Sequence, residues 1–154
     1  MRAAAPVDYS FYHLQRAPLD RALPRLLQRV ADGGLRAVVM AGSRERIEHL
    51  NGVLWTFDAG SFLAHGAAGD GAPEEQPIFL TGNEENPNGA TVLVLVDGAD
   101  PAFKDTFDRC LDMFDGNDAA AVSAARSRWT AAKGAGHTVT YWKQTETGGW
   151  QEAG

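Results

Sequence analysis

The histidines and cysteine that most often serve as nucleophile, base or metal ligand number only five in these 154 residues, and they are scattered. The four histidines, His13, His49, His65 and His137, lack the HxxxH or HxxE spacing that sets two ligands on one helix face. Cys110 is the only cysteine, so neither a thiolate zinc site nor an internal disulfide is available. No metal and no cofactor is expected. Ser61, His65 and either Asp58 or Asp70 supply the residue types of a hydrolase triad, but no GxSxG turn lifts the serine toward a base. Gly66, Gly69 and Gly71 form the nearest approach to a phosphate cradle. Neither GxxxxGK[ST] nor a GxGxxG after a strand is present, so a plain loop is expected there. The enzymatic alternative is a nucleotide-using or hydrolytic α/β enzyme acting from the Gly66–Gly71 loop with His65. The acidic pairs Glu74-Glu75 and Glu84-Glu85 sit in polar loop sequence and take no acid–base role.

A constellation with binding chemistry lies near the C-terminus. At about 100° per residue, Arg126, Trp129, Thr130 and Lys133 fall on one arc of a helix, with Val122 a turn earlier on the same stripe. Ala120, Ala121, Ala124, Ala125, Ala131 and Ala132 make the opposite face, which is small enough for close packing on a sheet. An aromatic between two cations suits an acidic peptide with an apolar anchor, the cations taking carboxylates and the ring packing beside the anchor. The other reading has Trp129 folded over the helix edge as peripheral core. Arg128 falls within the alanine face, so it must pair with an internal acid, reach a sheet edge or mark a second contact surface.

These residues need a scaffold, and the chain describes one. Residues 9–14 are rich in aromatics and read as a strand, followed by Leu19, Leu23, Leu26, Leu27 and Val30 at helical spacing up to Gly33-Gly34. Residues 35–41 read as a buried strand, and Ser43 caps a helix carrying Ile47, Leu50, Val53 and Leu54. The β-α-β-α order implies parallel strands. Residues 58–89 read as loop except for a short strand at 78–80, and 91–96 is the clearest central strand. Phe103, Phe107, Cys110, Leu111 and Phe114 mark the apolar face of a following helix, with Cys110 in the core. A helix over 118–133 and a strand over 137–142 complete a three-layer α/β/α sandwich with a mainly parallel central sheet. Residues 1–143 are expected to form one domain, and 144–154 a flexible C-terminal tail.

The longest apolar run, 91–96, is far short of a membrane span, and the first residues lack the apolar stretch of a secretory signal. A cytoplasmic location is the expectation. The net charge of −6 disfavours general affinity for phosphate backbones. Its distribution is uneven: residues 1–50 hold eight basic and five acidic groups, 51–118 hold two and thirteen, and 119–154 hold four and two.

Taken together, Phe11-Tyr12-His13-Leu14, Leu54-Trp55, Ser61-Phe62-Leu63-Ala64-His65, Ala68-Gly69-Asp70-Gly71, Arg126-Ser127-Arg128-Trp129 and Tyr141-Trp142-Lys143 resemble, in order and spacing, the chi subunit of the bacterial DNA polymerase III holoenzyme. The resemblance implies a Rossmann-like fold without nucleotide chemistry and a non-catalytic bridging role. Members of that family join the clamp loader, through the psi subunit, to the acidic, Pro-Phe-ended C-terminal tail of single-stranded DNA-binding protein. It also implies a peptide site comprising Trp55, Arg126 and Trp129. The family's usual lysine falls on Thr130, a departure that Lys133 is expected to offset.

Overall fold

The computed structural model describes residues 6–15, 17–56, 65–67, 72–147 and 149–153. Among these residues eight strands form a single sheet: β1 (Asp8–Leu14), β2 (Ala37–Met40), β3 (His65–Ala67), β4 (Ile78–Thr81), β5 (Val92–Leu95), β6 (Arg109–Asp115), β7 (Thr138–Gln144) and β8 (Trp150–Glu152). Their order across the sheet is β3-β4-β2-β5-β6-β1-β7-β8, and every pairing is parallel except β7 with β8.

Three α-helices connect strands among the described residues: α1 (Leu19–Asp32), α2 (Arg44–Thr56) and α3 (Ala119–Gly134). The crossovers β1-α1-β2 and β2-α2-β3 run one way along the sheet and β6-α3-β7 runs the other. Since parallel crossovers are right-handed, opposite directions put their helices on opposite faces. The two apolar clusters agree. Alternate residues of the central strands divide between them: Val39, Val92, Val94, Leu111 and Met113 join α1 and α2, while Val38, Leu93, Leu95, Cys110 and Phe114 join α3. The result is the expected three-layer α/β/α sandwich.

Local chemistry explains most of the boundaries. The Ser43 hydroxyl accepts from the Arg46 N–H at 3.2 Å at the start of α2, and Gly34, at φ +76°, turns the chain out of α1. Asp118 caps α3, accepting from the N–H groups of Ala120 and Ala121 at 3.0 and 3.4 Å. The loop before β5 is held by Asn88, whose amide donates to the carbonyls of Gln76 and Ala37. Gly116 is required by close approach: a Cβ there would lie 1.9 Å from the His13 ring and 2.6 Å from the Leu14 carbonyl.

Three expectations change. The helix anticipated over 103–114 is instead a 3-10 turn, Ala102–Thr106, followed by strand β6. β6 lies between β5 and β1 and is covered on both faces, so Cys110 to Phe114 are all buried. The apolar spacing at 103, 107, 110, 111 and 114 mimics a helix because Asp112 interrupts what would otherwise be a continuous buried run. His65–Ala67 adds a short strand inside a segment read as loop. Trp150–Glu152 forms β8 against β7 where a flexible tail was expected, pairing Trp142 with Glu152 and Gln144 with Trp150.

Candidate functional site

α3 rests on β6, β7 and β1, and its seating is set by a buried ion pair. Arg128 Nε donates to Asp112 Oδ2 at 2.7 Å and an Nη donates to Oδ1 at 3.1 Å, with both side chains almost fully enclosed. The internal acid that Arg128 required is therefore Asp112, on the central strand β6. This pair turns the helix relative to expectation. Ala125, Arg128 and Ala132 face the sheet, while Ala120, Ala124 and Ala131 are exposed, so only part of the alanine face points inward.

The rotation brings Val122 and Trp129 down beside the sheet. Both are half-buried and pack against the α3-side apolar cluster, as do Val139 and Tyr141 of β7. Trp129 is thus peripheral core and accessible surface at once, and its indole N–H is buried without an acceptor among the described residues. The Lys133 ammonium sits 4.7 Å from the Trp129 ring centroid, a cation–π contact that also fixes a positive charge beside the ring. Thr130 is exposed, but its hydroxyl donates to the Arg126 carbonyl at 2.9 Å and is spent on the helix backbone. Lys133, not Thr130, supplies the charge next to the aromatic.

β7 extends the site in a way the residue pattern of α3 alone does not reveal. Its alternate residues Val139, Tyr141 and Lys143 share the α3 face. Tyr141 is half-buried, with its hydroxyl 2.5 Å from His13 Nδ1, and Lys143 is exposed. Burial pushes the Tyr141 phenol up while Arg126 pulls it down; burial, then Lys143, holds the His13 imidazole below its ordinary range, with Arg126 acting in the same sense. Lys133 thus stands over Trp129 and Arg126 acts on Tyr141, so a cation accompanies each of these half-buried aromatics, with Lys143 on the same face of β7. The signal in the sequence was the period of two in the last strand, read beside the helix that precedes it.

His13 makes stability depend on pH. Its folded pKa lies below the unfolded value of about 6.5, so its contribution is present above that value and is lost as pH falls toward the lowered folded value. Urea midpoints taken at pH 7.5 and at acidic pH should show a fall of at most about 1.4 kcal/mol per pH unit from this one group, absent in His13→Gln.

Trp55 does not join this site. It lies on α2, which packs on β3 and β4 on the other face of the sheet; the residue is 62% exposed and its ring stands 4.7 Å from that of His65. The sheet separates it from Trp129, so its expected place in the peptide pocket is withdrawn.

The crevice where the crossovers diverge, at the ends of β1 and β6, is where α/β folds commonly bind nucleotides. Here it encloses about 780 Å³ and is lined by Asp97, Asp115 and Asp118 with Arg46 and Arg128. The cations are committed, Arg46 to Asp97 at 2.9 and 3.2 Å and Arg128 to Asp112, and the first N–H groups of α3 are taken by Asp118. Carboxylates stand where a phosphate would lie. Of the enzymatic alternative, His65 is buried in β3, and Asp58, Ser61, Gly69, Asp70 and Gly71 lie outside the described residues. Among the described residues no group of three His, Cys, Asp or Glu side chains is placed to hold a metal.

The family model of the DNA polymerase III chi subunit, HolC, matches residues 7–140, from the start of β1 into β7. The chain belongs to this family. A curated relative, the probable DNA polymerase III subunit chi of Rickettsia prowazekii (strain Madrid E), is 33% identical over 95 residues, which cover 62% of this chain and 58% of that protein. Both names place their proteins among the subunits of DNA polymerase III. No described helix is long and apolar enough to cross a membrane.

Proposed function

We propose that this chi-family protein is a non-catalytic adaptor whose α3–β7 surface holds the acidic, phenylalanine-ended tail of single-stranded DNA-binding protein, while its other face contacts psi on the clamp loader. The observation that carries the first half is Lys133 held over the half-buried Trp129, with Arg126 one turn away. An acidic peptide with an apolar end needs an aromatic wall flanked by cations. Val122, Arg126, Trp129, Thr130 and Lys133 line this surface in our reading, with Tyr141 and Lys143 added from β7 and Trp55 removed. Isothermal calorimetry with a tail peptide tests it, and equal binding of a peptide lacking the terminal phenylalanine would overturn it.

A bridge must hold two partners at once, so its surfaces cannot overlap. Trp55, the most exposed large apolar side chain described and across the sheet from α3, supports placing psi there. Trp55→Ala is expected to weaken psi capture at least tenfold while leaving tail-peptide affinity unchanged. Loss of tail binding in that variant would return Trp55 to the peptide site.

A further inference from the structure

We propose that Arg21, Arg25 and Arg29 of α1, together with Trp150 of β8, form a contact surface for the backbone of single-stranded DNA, separate from the α3 site. The three arginines recur every fourth residue on the exposed side of α1, each about 6 Å along the axis from the next. Like charges at this spacing repel, and among the described residues no carboxylate is paired with any of the three. Asp20 is engaged by His49 at 2.6 Å, and Asp32 accepts from Gln28 at 2.8 Å. Among the described residues none of the three arginines has a hydrogen bond or an ion pair. In a chain whose net charge is −6, they are a positive island awaiting an external anion.

The second observation is what lies beside them. A groove of about 400 Å³ runs between α1 and the β7–β8 turn, lined by all three arginines with Gln144, Glu146 and Trp150. Trp150 stands edge-on to Tyr12 at 5.0 Å, and Tyr12 stacks on Trp142 at 6.5 Å, so the ring is backed by an aromatic bank. The Gln144 side-chain oxygen Oε1 accepts from the N–H groups of Gln15 and Ala17 and fixes the strand to the start of α1. Cations alone would accept any polyanion. A ring at their side favours one whose units carry flat faces to stack, and guanidinium forks match phosphate oxygens. The acidic remainder of the surface confines the contact to this stripe and keeps it weak.

Anisotropy of a labelled decathymidylate, titrated with the full chain at several salt concentrations, tests the assignment. Three phosphate contacts on a single strand give a slope of log affinity against log salt of about −2, or roughly a 20-fold loss between 50 and 200 mM. The triple variant Arg21→Ala/Arg25→Ala/Arg29→Ala should abolish that dependence with an unchanged melting temperature. Trp150→Ala should weaken binding about fivefold or more with the slope retained, and Trp150→Phe should recover most of it. Trp129→Ala should have no effect here, which separates this surface from the tail site. Absence of decathymidylate binding, an unchanged slope in the triple variant, or tighter binding of polyglutamate than of DNA would each overturn the proposal.

Discussion

Arg128→Ala should destabilise the fold by about 3–5 kcal/mol in chemical denaturation, the largest loss expected from any single change on α3. The side chain is enclosed between α3 and β6 and gives two hydrogen bonds to Asp112. Truncation leaves the Asp112 carboxylate in the middle of the sheet with no countercharge, and the desolvation of a lone buried ion dominates the loss. Asp112→Ala should cost a similar amount by stranding the guanidinium. The decisive comparison is the double variant Arg128→Met/Asp112→Leu, which removes both charges and refills the space. It should recover most of the stability, because the attraction within a buried pair only roughly repays its desolvation. A double variant as unstable as the sum of the two single ones would show that the pair is not the coupled unit described here.

Trp129→Ala should reduce affinity for the tail peptide about 30-fold or more, equivalent to roughly 2 kcal/mol for an aromatic anchor at the centre of a contact. The ring also packs on the core, so this variant loses some stability, and two companions separate packing from binding. Trp129→Phe keeps an aromatic wall, whereas Lys133→Ala removes the cation over the ring while leaving the buried face of α3 intact. Lys133→Ala should weaken binding several-fold with an unchanged melting temperature. Added salt should also weaken binding, but less steeply than for a phosphate-backbone ligand, since the ion pairs are few. Unchanged affinity in Trp129→Ala, measured at a temperature where the variant is folded, would remove the α3 surface as the tail site.

Much of the scaffold could be read from residue order because its signals are local. Ser43 and Asp118 sit at helix starts, Gly33-Gly34 closes α1, and an unbroken run of valine and leucine makes up β5. β6 was hidden by the same residue that orients α3: Asp112 breaks an apolar run, and only its partner sixteen residues on explains why a carboxylate belongs there. β3 and β8 are three residues each, too short for a period of two to declare itself. At the site, helical spacing was enough to group Arg126, Trp129 and Lys133. Trp55 was joined to them through resemblance rather than periodicity, and only the opposite directions of the crossovers show that a sheet stands between. Tyr141 and Lys143 were legible as a strand, but not as neighbours of α3.

The placement of β1 has a consequence for how the chain matures on the ribosome. β1 is synthesised before β6 and β7 yet lies between them, its Asp8 opposite both Arg109 and Thr138. Until those late strands emerge, the aromatic edges of β1 have no partners, and the closing of two long loops governs the rate. Folding should therefore be slow for a domain of this size, and a nascent chain halted before β6 would expose two adhesive edges. The part of the sheet around β1 is protected from aggregation only once β6 and β7 have both joined it.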